Sequence, residues 1–185
     1  MLAEYLRASV PDLEKKVVVE LDHRSPLRSY LAQAGKYIRT YYSATDLPGS
    51  VRFDGARCED ITRLTFSDES IDILISSDVL EHVPDIEAAF RESSRVLRPG
   101  GFHLFTVPCG PSTVRRAEFV DGELRHLVQP EYHSDPLNPE GILAFWTFGA
   151  DFAERVSVAD LKVSIVVGPC GKDRRVVWKA EKVRR

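Results

Sequence analysis

At 185 residues, 43% of them hydrophobic and 29% charged, the chain can bury one core but is too short for two comfortable domains. A formal charge of −3 and a pI near 6.0 exclude a global attraction for nucleic acid, although Lys172 to Arg185 is locally basic. Three cysteines, Cys58, Cys109 and Cys170, show no CxxC spacing. They argue against a disulfide framework or a zinc site and for free thiols in a cytoplasmic protein. With no secretory signal pattern and no apolar run near the ~18 residues of a membrane span, no membrane association is expected.

In chain order, Val17-Val18-Val19 reads as a strand buried on both faces. Ser25 and Pro26 then predict a helix start, with Leu27, Tyr30, Leu31 and Ala34 on one face and Gly35 as the stop. A second strand is expected from Lys36 to Tyr42 and a short third near Ala56 to Glu59, separated by the Pro48-Gly49 and Asp54-Gly55 turn pairs. Ile71 to Ser76 is a further buried strand. Asp85 to Leu97 is an amphipathic helix with Ile86, Ala89, Phe90 and Leu97 on one face, stopped by Pro99-Gly100-Gly101. Phe102 to Val107 is a fifth strand, Asp151 to Arg155 a helical turn, and Leu161 to Val167 with Arg174 to Ala180 an antiparallel pair around Gly168-Pro169-Cys170-Gly171. Strands alternating with helices and ending in a hairpin predict one α/β domain over residues 1–185. Its sheet is doubly wound, mostly parallel and seven-stranded, Rossmann-like, with an antiparallel C-terminal strand.

The block from Glu59 to Gly101 carries Glu59-Asp60-Ile61, Ile71-Asp72-Ile73-Leu74-Ile75-Ser76-Ser77-Asp78-Val79-Leu80-Glu81-His82 and Arg95-Val96-Leu97-Arg98-Pro99-Gly100-Gly101. In that order it resembles the second half of a class I S-adenosylmethionine-dependent methyltransferase, of a bacterial type 11-like subgroup. The resemblance implies S-adenosyl-L-methionine as cofactor, with Asp60 receiving the adenine amino group, Ile61 beside the ring, and Ser77, Asp78 and Val79 lining the methionine portion. It also implies that the loop after the first strand approaches the cofactor. There Glu20 is kept, but Asp22-His23-Arg24 stand where the family has glycines, so the backbone must swing wider or take positive φ at Asp22. Tyr41 falls where an acid usually grips the ribose, and Tyr42 is placed to stack on adenine.

Asp78, Glu81 and His82 form a DxxEH cluster. A similar element holds a divalent metal in some O-methyltransferases, whereas elsewhere in the family Glu-His organises the loop, and no metal ligand is assigned. An insertion around residues 109–147 sits where such enzymes place acceptor-recognition elements, and it presents Pro130-Glu131-Tyr132-His133. His82 and His133 are the candidate bases for a hydroxyl acceptor. The expected function is methyl transfer to a small-molecule acceptor, oxygen favoured over nitrogen. Two alternatives stand beside it: a non-catalytic, methyltransferase-like binding protein with a degenerate cofactor loop, and a divalent-metal-dependent O-methyltransferase. Leu2 to Val10 is the available cover for the site, so a homo-oligomer or a partner chain is a candidate to close it.

Overall fold

The computed structural model describes residues 1–22, 24–135, 138–156, 160–168 and 174–183. Seven strands form the main sheet: β1 (Val17–Glu20), β2 (Lys36–Tyr41), β3 (Arg57–Cys58), β4 (Ile71–Ser77), β5 (Leu97–Cys109), β6 (Leu161–Val167) and β7 (Arg174–Lys182). Their order is β6-β7-β5-β4-β1-β2-β3. β7 runs antiparallel to both neighbours, and the pairs from β5 through β3 are parallel. Sequence order reverses between β1 and β4, the kind of switch point outside whose strand ends such sheets bind ligands.

The period-2 alternation of strands explains how this sheet fills two cores. Val18, Ile73, Ile75, Leu104 and Val177 face one side, where they meet Leu2 and Leu6 of α1 (Leu2–Ser9). Val19, Leu74, Phe105, Val107 and Trp178 face the other, against Phe90 and Ala89 of α3 (Ile86–Val96) and Phe152 of α4 (Phe152–Arg155). Phe105 and Trp178 stack across β5 and β7 with ring planes 5° apart. Truncating either to alanine removes about 3–5 kcal/mol. α3 is capped by Asp85, whose side chain accepts from the Ala88 amide at 2.8 Å.

One polar group is built into this second core. His103 is buried, with Nε2 2.8 Å from Ser76 Oγ and Nδ1 3.2 Å from Ser93 Oγ, while Ser93 donates to Ala89 O at 2.8 Å. With that hydroxyl hydrogen committed, Ser93 accepts from Nδ1–H and Ser76 donates to Nε2. Burial pushes the His103 pKa down to about 3.

Several expectations are corrected. α2 is only Arg28–Leu31, and the turn closes with i→i+3 bonds from Gln33 to Tyr30 and from Ala34 to Leu31. Gly35 follows because a Cβ there would lie 2.5 Å from Glu14 O. Pro99-Gly100-Gly101 does not stop α3, which ends at Val96; it forms a bulge inside β5, where the register jumps between the Ile71–Leu97 and Ile73–Phe102 pairs. α1 buries Leu2 and Leu6 against the sheet, so it is a core helix and not a cover. The insertion holds three antiparallel ladders: Val114–Arg115 with Trp146–Thr147, Ala117–Val120 with Glu123–His126, and Tyr132–Asp135 with Asn138–Leu143. Cys109 is disulfide-bonded, which overturns the reading of three free thiols; Cys58 is free and buried, and Cys170 lies outside the described residues. Among the described residues no helix is long and apolar enough to cross a membrane.

Candidate functional site

The loop after β3 is fixed from below. Glu59 is buried and accepts from Arg57 Nε at 2.6 Å and from the Thr65 amide at 2.8 Å. Arg95 of α3 donates to the carbonyls of Leu64 and Phe66, both at 2.8 Å, so the loop is tied to the helix. On this platform Asp60 Oδ1 accepts from the Thr62 amide at 2.8 Å and the Thr62 hydroxyl at 2.7 Å. Asp60 therefore caps its own turn, as an aspartate at a strand exit does. Its Oδ2 takes no hydrogen bond among the described residues. Ile61 beside it is buried.

At the exit of β4 the chain turns through Asp78 at φ 53°, a left-handed conformation that Asp tolerates better than most residues. The Asp78 amide donates to Thr106 O at 2.9 Å, holding this turn against β5. Val79 follows, and the 3₁₀ turn Leu80–His82 buries Leu80 and Glu81 while leaving His82 half-exposed.

The exits of β1 and β2 differ from expectation. Positive φ falls at Asp78 and not at Asp22, whose Oδ1 instead accepts from the Arg24 amide at 2.7 Å. Glu20 is buried; Tyr37 donates its hydroxyl to Oε2, and Oε1 has no hydrogen-bond partner among the described residues. Burial pushes the Glu20 carboxyl above the ordinary carboxylate range. Tyr41 is buried with Ala56 and Cys58, donates to Asp46 Oδ2 at 2.7 Å and lies 4.2 Å from the Arg52 guanidinium, ring to cation. Tyr42, one residue on and 70% exposed, takes the opposite direction.

These exits enclose a cavity of about 630 Å³, within the ~300–1,000 Å³ of small-molecule sites. Of the residues singled out from sequence, Tyr42, Asp60, Ile61, Asp78, Val79 and His82 line it. Glu20, Asp22, Tyr41, Ser77 and His133 do not. Sequence reasoning missed Thr40, Glu59 and, from the insertion, Phe119, Ile142 and Phe145. The alternation of Thr40 and Tyr42 along β2 was the available signal for the first of these. A second depression of about 620 Å³ lies at the opposite strand ends, around Glu69, Arg95 and Lys182. Those charges are mutually paired, Arg95 with Asp68 and Lys182 with Glu69.

On the insertion side, His82 Nδ1 lies 2.9 Å from Leu143 O, and its ring meets that of His133 edge-on at 4.9 Å. His133 Nδ1 is 3.6 Å from Glu81 Oε1, and Nε2 is 3.4 Å from Glu131 Oε1. The Glu81 carboxylate, and then Glu131, raise the His133 pKa above its ordinary value. The DxxEH element is thus rearranged in space: ligand atoms of Glu81, His82 and His133 lie within 4.8 Å of one another, with His133 in the place expected of Asp78.

Residues 26–105, which contribute β2 through β4, α3 and most of β5 with the cavity's main wall, match the methyltransferase domain family. Over those residues the chain is similar to S-adenosylmethionine-dependent methyltransferase domains. Over 75 residues it is 37% identical to malonyl-[acyl-carrier protein] O-methyltransferase 1 of Coxiella burnetii, covering 40% of this chain and 26% of that enzyme. It is 39% identical over 98 residues to an uncharacterized methyltransferase of Mycobacterium sp. (strain JLS), covering 51% of this chain and 31% of that one. The chain thus spans under a third of the length of these curated relatives. Among solved structures, an S-adenosylmethionine-dependent methyltransferase from Mesorhizobium loti superposes with a TM-score of 0.61 at 16% identity, over 97% of this chain and 96% of that one. That likeness shows the methyltransferase fold, including the antiparallel β7.

Proposed function

We propose that the cavity holds S-adenosylmethionine and that the protein transfers its methyl group to a small-molecule acceptor, with oxygen favoured over nitrogen. The observation that carries this reading is the convergence of Asp60, Ile61, Asp78 and Val79 on one cavity beside the switch in strand order. Asp60 Oδ2 offers an acceptor for an exocyclic adenine amine, Ile61 and Val79 offer apolar contact, and Tyr42 offers an aromatic face at the rim.

The sulfonium methyl is already activated, so the protein's task is to align an acceptor lone pair opposite sulfur and exclude water. The acceptor oxygen forms a bond to the methyl carbon as the carbon–sulfur bond breaks, its electrons passing to sulfur. A hydroxyl acceptor must also lose a proton. His82 is the imidazole on the cavity wall, and with Nδ1–H donated to Leu143 O its Nε2 lone pair is available to take that proton. His133 stands behind it and acts through it. The apolar side of the wall from Phe119, Ile142 and Phe145 suits an acceptor with an aromatic or aliphatic body.

A second reading, binding without catalysis, is favoured by one observation: the loop after β1 closes on itself through Asp22 and Arg24 where an open glycine cradle would meet the cofactor. Calorimetric titration with S-adenosylhomocysteine separates the two readings. Saturable one-to-one binding supports the cofactor site, and no heat at any concentration removes it.

A further inference from the structure

Behind the cavity wall, Glu81 is 1% exposed, and neither carboxylate oxygen makes a hydrogen bond among the described residues. An ionised carboxylate withdrawn from water without a partner is costly, so a cation or strong donor belongs beside it. The two neighbouring imidazoles are each held from the far side. His82 Nδ1–H is committed to Leu143 O, which leaves the Nε2 lone pair free. His133 Nε2 faces Glu131 Oε1 at 3.4 Å, and Nδ1 faces Glu81 Oε1 across 3.6 Å, a gap that a proton on Nδ1 fills in the metal-free protein. A metal ion that replaces that proton would lie between Nδ1 and Oε1. Imidazoles that ligate metals are oriented in this manner, the second nitrogen donating to a carbonyl or a carboxylate.

We propose that Glu81, His82 and His133 form a binding site for a first-row divalent cation, with Zn²⁺ as its simplest occupant. Ligand atoms ~2.1 Å from a tetrahedral ion stand roughly 3.4 Å apart. The Glu81–His133 pair is already near that spacing, and the widest separation, within 4.8 Å, closes with a small movement of the Tyr132–Asp135 hairpin strand. Two nitrogens and one oxygen disfavour Mg²⁺ and Ca²⁺, which prefer oxygen shells. Three protein ligands leave at least one position open, the pattern of a catalytic rather than a structural site. Because His82 also lines the cavity, the open position lies at its edge.

The consequence for chemistry, though not the binding itself, rests on the methyl-transfer reading. With the ion in place, His82 Nε2 is a ligand. An ion there would supply Lewis acidity at the open position and would lower the pKa of a hydroxyl acceptor bound in it, easing loss of the proton that accompanies attack on the methyl group.

The test is titration of the chelator-treated full chain with Zn²⁺ by calorimetry and with Co²⁺ by visible absorbance. Parallel titrations use Glu81→Gln, His133→Ala and Glu131→Gln, and S-adenosylhomocysteine binding is measured on each protein. The expected result is one Zn²⁺ per chain and Co²⁺ bands of a low-coordinate nitrogen–oxygen site. Affinity should fall by about 100-fold or more in Glu81→Gln and His133→Ala, and by about 10-fold in Glu131→Gln, which changes only the group behind His133. S-adenosylhomocysteine binding should persist throughout, showing that the variants fold. Absence of Zn²⁺ binding by the unaltered chain, or binding unchanged by Glu81→Gln and His133→Ala, would overturn the site. Loss of S-adenosylhomocysteine binding by the unaltered chain alone would instead strike the methyl-transfer reading and leave the metal site standing.

Discussion

His133 Nδ1 stands 3.6 Å from Oε1 of the buried Glu81, joining the tip of the insertion to the turn that follows β4. Two further bonds lock the same junction, from the Phe145 amide to Glu81 O at 2.7 Å and from Trp146 Nε1 to Val83 O at 3.0 Å. The insertion is therefore a wall of the cavity and not a loose excursion. Its ladders hold His82 between the cavity and His133.

That placement makes His82 the more exposed to test. His82→Ala is expected to lower turnover of a hydroxyl acceptor by ~10²–10⁴, whether the imidazole takes the proton or holds the ion that releases it. S-adenosylhomocysteine affinity should move little, because the residues proposed to meet adenine, Asp60 and Ile61, belong to the loop after β3 and not to the turn that carries His82. Full turnover in His82→Ala, measured with an identified acceptor, would leave alignment alone to carry the reaction.

The adjacent tyrosines at the end of β2, Tyr41 and Tyr42, should separate cleanly. Tyr41→Phe deletes the bond to Asp46 and should cost about 1 kcal/mol of folding stability, with no change in S-adenosylhomocysteine affinity, since Tyr41 is outside the cavity. Tyr42→Ala should do the reverse, weakening cofactor binding by about 1 kcal/mol at nearly unchanged stability. Denaturant midpoints and calorimetry on the two variants check both halves. The reverse pattern would mean that β2 presents its other face to the ligand.

His103 gives the fold a pH dependence. Its folded pKa of about 3 lies below the ordinary ~6.5 of the unfolded chain. Its contribution is therefore complete above pH 6.5 and is lost as pH falls toward 3, because the unfolded chain takes up a proton that the folded chain refuses. The expected slope is roughly 1 kcal/mol per pH unit between pH 6 and 4 from this one group. His103→Gln should flatten the curve of unfolding free energy against pH by that amount, and an unchanged curve would place the imidazole in contact with water.

Much of this architecture was legible because it is local. Val17 to Val19 and Ile73 to Ile75 are apolar runs that suit strands covered on both faces, and Asp85 caps α3 where its polarity and position indicate. Local rules failed where long-range contacts decide. Gly35 follows a helix that is too short, because the approach of Glu14 limits the chain there more than the apolar face of Leu27, Tyr30 and Leu31 extends it. The Asp121-Gly122 pair, at φ 52° and 82°, is a strong hairpin signal inside the insertion that the polar composition around it obscured. Among site residues, Asp60 and Val79 follow from strand ends, but no periodicity relates Glu81 to His133. Their meeting depends on how the insertion folds back.

The most direct measurement of the central claim is S-adenosylhomocysteine affinity in the unaltered chain and in Asp60→Ala. Asp60 lines the cavity with Oδ1 engaged by Thr62, so Oδ2 is the proposed acceptor, and removing it would leave the adenine amine unpaired at a cost of about 1–3 kcal/mol. Micromolar-range one-to-one binding that weakens by about 5- to 150-fold in a folded Asp60→Ala is the result the account predicts. Equal affinity in the two proteins, or no binding to the unaltered chain, would contradict it.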